Sequence, residues 1–352
     1  MRNFLNVLLL LGIFIALNIA YLLVQSGFFL DIKPHFDGTG EVLNSPPGIE
    51  DLTVDQSNGD VYLSSTDRRN GSGGGIFKAN LQDEELVFQN LTASLRDENF
   101  KPHGLSLLKK YRKTYLFVIS HPSTEVSVVD RFEIENDSLV SKRRFAHPLM
   151  ISPNDICAVD TATFYFTNDH GTGKGLKRTL SDFLLLKSGF VALYNNGEAR
   201  KVSQNMAYAN GINLSPDGKF LYVTATTEKK IFVFEKAQSH ALKLKDVHLA
   251  HTGVDNIEID ADGNLLIGCH PQMLKFLGHA KSAANRSPSQ IIKVVYLPET
   301  DYKFLQEELY LNNGDPLSAS SVGAFFSNKN GENNLLVGSV FESKILRLHR
   351  NL

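Results

Sequence analysis

The feature that most restricts what this chain can fold into is a unit that returns six times. Its clearest copy is Asn210-Gly211, an apolar strand, a turn at Pro216-Asp217-Gly218, and a second alternating strand from Phe220 to Val223. Each of the others also opens on a polar residue or pair. Glu50-Asp51 leads through Asn58-Gly59 into Val61-Tyr62-Leu63, and His103-Gly104-Leu105 returns as Tyr115-Leu116-Phe117-Val118. Asn154-Asp155 leads to Phe164-Tyr165-Phe166, and Asp255-Asn256 turns at Asp262-Gly263 into Leu265-Leu266-Ile267. Ser320-Ser321 reaches Leu335-Leu336-Val337 over a longer turn. Copies roughly forty to sixty residues apart, each a set of short strands, mark a β-propeller with one blade per copy. The expected fold is therefore all-β: a six-bladed β-propeller over residues 31–352, preceded by a hydrophobic helix within residues 1–30.

In a propeller the innermost strand of every blade starts at one rim, so the residues heading the copies face a common channel. Here they are Glu50, His103, Asn154, Asn210, Asp255 and Ser320. Carboxylates and amides crowded into one space repel each other unless a hard cation lies among them. An all-oxygen set of this kind suits calcium.

The small net charge of −2 argues against nucleic acid as a partner, which would require a clustered basic face. Trp is absent and Phe abundant, so the core between blades is expected to be Phe, Leu, Ile and Val. Cys157 and Cys269 both read as buried free thiols on inner strands of different blades. Lys344 to Leu348 reads as a final strand that closes the ring against the N-terminal segment, and Asp31 to Pro47 as an entry segment crossing a rim. Gly71 to Gly75 lacks the Lys-Ser/Thr and following helix of a phosphate-binding loop and reads as a plain connection.

From Phe4 to Leu30 the chain is almost continuously apolar, long enough to span a bilayer. It reads as an uncleaved signal anchor, with Arg2 favouring a cytoplasmic N-terminus, or alternatively as a cleaved signal. Either places the propeller outside the cytoplasm, membrane-tethered or secreted. The triplets at Asn70, Asn90, Asn136, Asn213 and Asn285 permit glycans there, Asn213 least of all because it falls inside a strand.

His103 heads the inner strand of blade two and His121 ends the next, so hairpin geometry returns both to one rim as a candidate proton-handling pair. Two apolar insertions leave the ring on that side. Leu176 to Leu186 reads as a helical lid, an edge-packing segment or an interfacial one, and Met273 to Leu277 as a second wall of the pocket.

Several of these stretches together resemble the paraoxonase/arylesterase family. They are Pro102-His103-Gly104, Asn154-Asp155-Ile156, Phe164 to His170, Ala209-Asn210-Gly211-Ile212, Val254-Asp255-Asn256-Ile257 and Gly268-Cys269-His270-Pro271. The resemblance covers essentially the whole chain past the hydrophobic run. It implies a calcium-dependent hydrolase of carboxylic esters, lactones and aryl esters, with two calcium ions in the channel. A catalytic ion would be held by Glu50, Asn154, Asn210, Asp255 and Asn256, and a structural ion by Asp51, Asp155 and the carbonyl of Leu105. His103 and His121 match the family's histidine dyad, with Asp255 an alternative base or nucleophile. The terminal disulfide of the family's animal members has no counterpart, since no Cys lies near either end. A non-catalytic membrane-tethered scaffold and a strictosidine synthase-like propeller enzyme stand as alternatives.

Overall fold

The computed structural model describes residues 2–350, apart from residues 72, 96, 98, 174, 176, 179, 180, 182, 183, 330 and 332. Six antiparallel sheets surround one axis. Their inner strands are Ile49–Val54, Pro102–Lys110, Pro153–Asp160, Ala209–Leu214, Gly253–Ile259 and Ser320–Ser327. Each inner strand packs on the next and the sixth on the first, so the ring is closed. The six copies in the sequence are the six blades.

The ring is fastened by pairing its two ends. Gly38–Asn44 runs antiparallel to Lys344–Arg350 as the outer strand of blade six, with Gly40 opposite Leu348 and Asn44 opposite Lys344. The segment from Asp31 to Pro47 is thus more than a rim crossing. Besides this strand, His35–Phe36 adds a short fifth strand to blade five, opposite Tyr310 and Leu311. An exposed edge on Lys344–Arg350 would leave unpaired backbone groups, and the N-terminal strand removes it.

Every gap between neighbouring blades holds its own apolar cluster. Phe117, Phe145, Phe164 and Phe166 fill the gap between blades two and three, where the rings of Phe164 and Tyr194 stack 4.8 Å apart. Leu52 and Val61 meet Val322 and Leu336 between blades one and six. Cys157 and Cys269 are buried and free. Cys157 lies on an inner strand, but Cys269 lies on Leu265–His270, the second strand of blade five. The Asp262-Gly263 turn separates it from the inner strand, and that turn is the signal that moves it one strand outward.

Neighbouring inner strands approach closely at the axis. A Cβ built on Gly211 would stand 2.5 Å from the carbonyl oxygen of Asp255 and 2.8 Å from the Cα of Asn256. Backbone cannot give way as a side-chain tip can. Gly211→Ala is expected to destabilise the fold by about 1–3 kcal/mol, read as a lower urea midpoint with an unchanged slope.

Helix α1, Arg2–Gln25, contains the apolar stretch Phe4–Gln25 with mean hydropathy 2.8, none of it buried. It ends short of Leu30, at a turn where Gly27 has φ +72° and packs against the carbonyl of Pro271. Helix α2, Met273–Lys281, is the second apolar insertion. Much of Leu176 to Leu186, including Leu180 and Phe183, lies outside the described residues. Asn70, Asn90, Asn136 and Asn285 are exposed, whereas Asn213 is half-buried and donates its side-chain amide to the Ile257 carbonyl at 3.0 Å.

Candidate active site

All six inner hairpins break register at the same place, near the head of the inner strand. The irregularities fall between Ile49 and Asp51, Pro102 and Leu105, Pro153 and Ile156, Ala209 and Ile212, Val254 and Ile257, and Ser320 and Val322. A bulge frees its residues from ladder pairing and re-aims their side chains. The polar pairs of the sequence copies are these bulges, which is why two consecutive residues, such as Asp255 and Asn256, can both serve the axis.

One cavity of about 910 Å³ opens above the bulges, and Glu50, His103, His121, Asn154, Asn210 and Asp255 all line it. Asn256 lies just behind, donating its side-chain amide to Glu50 Oε1 at 3.1 Å and to the Glu50 carbonyl at 3.0 Å. Asn210 donates to Asp255 Oδ1 and to Thr226 Oγ1. With their amides thus engaged, Asn210 and Asn256 leave their carbonyl oxygens free. Glu50 Oε2, Asn154 Oδ1, Asn210 Oδ1 and Asn256 Oδ1 are all buried without a hydrogen-bond donor. Buried oxygens are almost always satisfied, so four orphans in one neighbourhood require an explanation.

Asp51 and Asp155 form a lower level that does not line the cavity. Asp51 accepts the amides of Leu52 at 2.9 Å and of Leu105, from the next blade, at 2.7 Å. Asp155 accepts those of Ile156 and Ile212, both at 2.7 Å. The contact Leu105 makes here is thus through its N–H. Burial pushes both carboxyls well above the usual range, and for Asp51 the neighbouring Asp155, Glu50 and Glu258 add to it. Among the described residues no three His, Cys, Asp or Glu side chains converge as a ready metal cluster. The upper set is instead two carboxylates and three amides, the hard-oxygen composition of a calcium site rather than a zinc site.

The two histidines expected to meet do so. His103 Nδ1 and His121 Nε2 share a hydrogen bond of 3.0 Å, and His121 Nδ1 lies 3.0 Å from Ser127 Oγ. On its other side His103 Nε2 stands 3.2 Å from Glu50 Oε1. Burial alone would raise the Glu50 carboxyl; the charge and hydrogen bond of His103, with Arg68 and Asn256, outweigh it and hold the group down at about 2.

Other groups in the cavity carry no assignment from the sequence. His270 Nε2 lies 2.7 Å from Asp255 Oδ2, its ring packed on Phe276 of α2. Asp169 is shared between His170 and Arg178, both at 2.9 Å. His121 and His170 follow the second strands of their blades and His270 ends its own, so the hairpin rule that pairs His103 with His121 also finds the other two. Met273, Leu274, Phe276 and Leu277 of α2 wall the cavity, as do Leu22 and Leu23 at the end of α1.

The arylesterase family model matches residues 39–347. The chain belongs to the arylesterase family. It is an enzyme of the esterase and lactonase class. Human serum paraoxonase/arylesterase 1 is 32% identical over 312 residues, covering 85% of each chain. Rabbit serum paraoxonase/lactonase 3 is 31% identical over 278 residues, 77% of this chain and 76% of that one. Among solved structures, a gluconolactonase from Xanthomonas campestris superposes with a TM-score of 0.52 at 13% identity, covering 91% of this chain and 95% of that one. That likeness speaks to the propeller fold of this arylesterase family member and to nothing finer.

Proposed function

We propose that this chain hydrolyses carboxylic esters, lactones and aryl esters with calcium held in its channel. The observation that carries the reading is the set of four buried, donor-free oxygens at the head of the cavity and just behind it. A buried oxygen that no N–H or O–H satisfies is suited to a hard cation. Glu50, Asn154, Asn210, Asp255 and Asn256 would hold the upper ion, and Asp51, Asp155 and the Leu105 carbonyl the lower one. Bound in the upper site, calcium would supply a fixed positive charge that polarises an ester carbonyl and favours negative charge on its oxygen.

The chain's own residues do the rest. Asn154 orients the carbonyl oxygen through its side-chain amide, while both N–H groups of Asn210 remain on Asp255 and Thr226. His103 takes a proton from the attacking water, and His121 accepts part of the resulting positive charge across their 3.0 Å hydrogen bond. Ser127 fixes the far nitrogen of His121, so the pair keeps one orientation as the proton moves. Helix α2 and the end of α1 keep bulk water from the apolar side of the cavity.

We read α1 as a retained signal anchor, with the propeller outside the cytoplasm. Leu22 and Leu23 line the cavity, Met273 donates its amide to the Ser26 carbonyl at 2.9 Å, and Gln272 donates to the Leu30 carbonyl at 2.8 Å. Cleavage behind this segment would remove part of the cavity wall. The test is turnover of phenyl acetate and of γ- and δ-lactones by the full chain in detergent, with and without a calcium chelator. Turnover of several members that ceases on chelation is expected; turnover of none of them would remove the hydrolase reading.

A further inference from the structure

Among the described residues, four cationic side chains line the cavity: Arg68, Lys101, Arg178 and Lys229. Arg178 is neutralised by Asp169 at 2.9 Å. Lys101 and Lys229 are half-buried, and among the described residues neither makes a side-chain hydrogen bond or an ion pair. Burial pulls Lys229 below the ordinary lysine range. Arg68 is mostly covered; it pairs with Glu50 at 3.7 Å, beyond hydrogen-bonding distance, and feels the charges of Asp255 and Asp51 as well. Its remaining contacts are with the carbonyls of Gly48 and Thr66.

Once Glu50 and Asp255 are committed to calcium, the acids left among the described lining residues, Asp67 and Asp169, do not balance these four cations. Asp169 serves Arg178 and His170, and Asp67 is held by the amides of Arg69 and Asn70. Glu50 and Asp255 are committed to the upper ion in the function proposed above. That commitment weakens the compensation Arg68 draws from the same two carboxylates. Cations drawn out of water without an ionic partner are costly, and a cavity that keeps two such lysines beside Arg68 suits an anionic occupant. The same lining also carries the apolar side chains of Leu22, Leu23, Leu274 and Leu277, which suit a carbon chain.

We propose that the preferred substrate is an ester or lactone whose carbon chain also bears a carboxylate, which the unpaired lysines of the cavity lining, Lys101 and Lys229, attract while the carbonyl reacts at the head of the channel. The inference rests on the hydrolase reading and names the substrate class of that site. The test compares two 4-nitrophenyl esters of equal chain length, the hexanoate and the monoester of hexanedioic acid, on the full chain with calcium. The charged ester is expected to show a kcat/KM about tenfold higher, the size of one charge-assisted hydrogen bond. The preference should arise in KM and shrink as sodium chloride is added. In Lys229→Met and Lys101→Met the ratio of the two kcat/KM values should fall several-fold toward one. Equal values for both esters in the parent chain, or a ratio that both variants leave intact, would overturn the inference while the hydrolase reading stands. Turnover of neither ester would instead overturn the hydrolase reading, and this inference with it.

Discussion

Replacing His103 with glutamine is expected to lower kcat/KM for aryl esters and lactones by about a hundred- to ten-thousand-fold, the usual cost of losing a general base. Calcium content should be unchanged. Glutamine preserves a polar contact toward Glu50 but cannot carry a proton between two partners. His103 can, because its nitrogens face Glu50 Oε1 at 3.2 Å and His121 Nε2 at 3.0 Å. The effect should lie in kcat, since the proton moves only as the water attacks. Turnover within about threefold of the parent would remove the dyad role and transfer the base to Asp255, whose Oδ2 is 2.7 Å from His270. In that case His270→Gln, and not His103→Gln, should carry the large loss. Measuring both variants on phenyl acetate separates the two assignments.

Chelation is expected to abolish turnover and to weaken the fold. Glu50, Asp51, Asp155, Asp255 and Glu258 are buried carboxylic groups on the inner strands of three blades. Burial pushes Glu258 up to about 8, and its described backbone contact is the Val54 amide at 3.3 Å. Without cations these groups repel one another in a low-dielectric channel or must take up protons. At free calcium a hundred to a thousand times the dissociation constant, each bound ion adds about 3–4 kcal/mol to the unfolding free energy. The urea midpoint should therefore fall on chelation and recover when calcium is returned. An unchanged midpoint would mean that the channel carboxylates are accommodated by protons and amides alone.

Much of this was legible from residue order. A propeller strand starts on one rim, so the head of each copy had to face the axis, and the six bulges stand where the six polar pairs stand. The His103–His121 contact followed from hairpin return alone. What was hidden depended on contacts distant in sequence. The Gly38–Asn44 strand has little apolar alternation, and its place is set by the open edge of Lys344–Arg350. Arg68 looks like half of a solvated Arg68-Arg69 pair, and only the fold turns it toward Glu50 while Arg69 meets His279. The Asp255–His270 pair was within reach, since His270 ends its strand and His121 follows its own. The orphaned oxygens could not have been read from sequence, because an amide oxygen is orphaned only when every nearby donor is already engaged.

The most direct measurement of the central claim is the metal content of the purified chain by atomic spectroscopy, before chelation, after it, and after calcium is restored, with phenyl acetate turnover followed in the same samples. Two calcium ions per chain are predicted, with turnover that disappears and returns with them. Full turnover by chain that holds no calcium would contradict the claim.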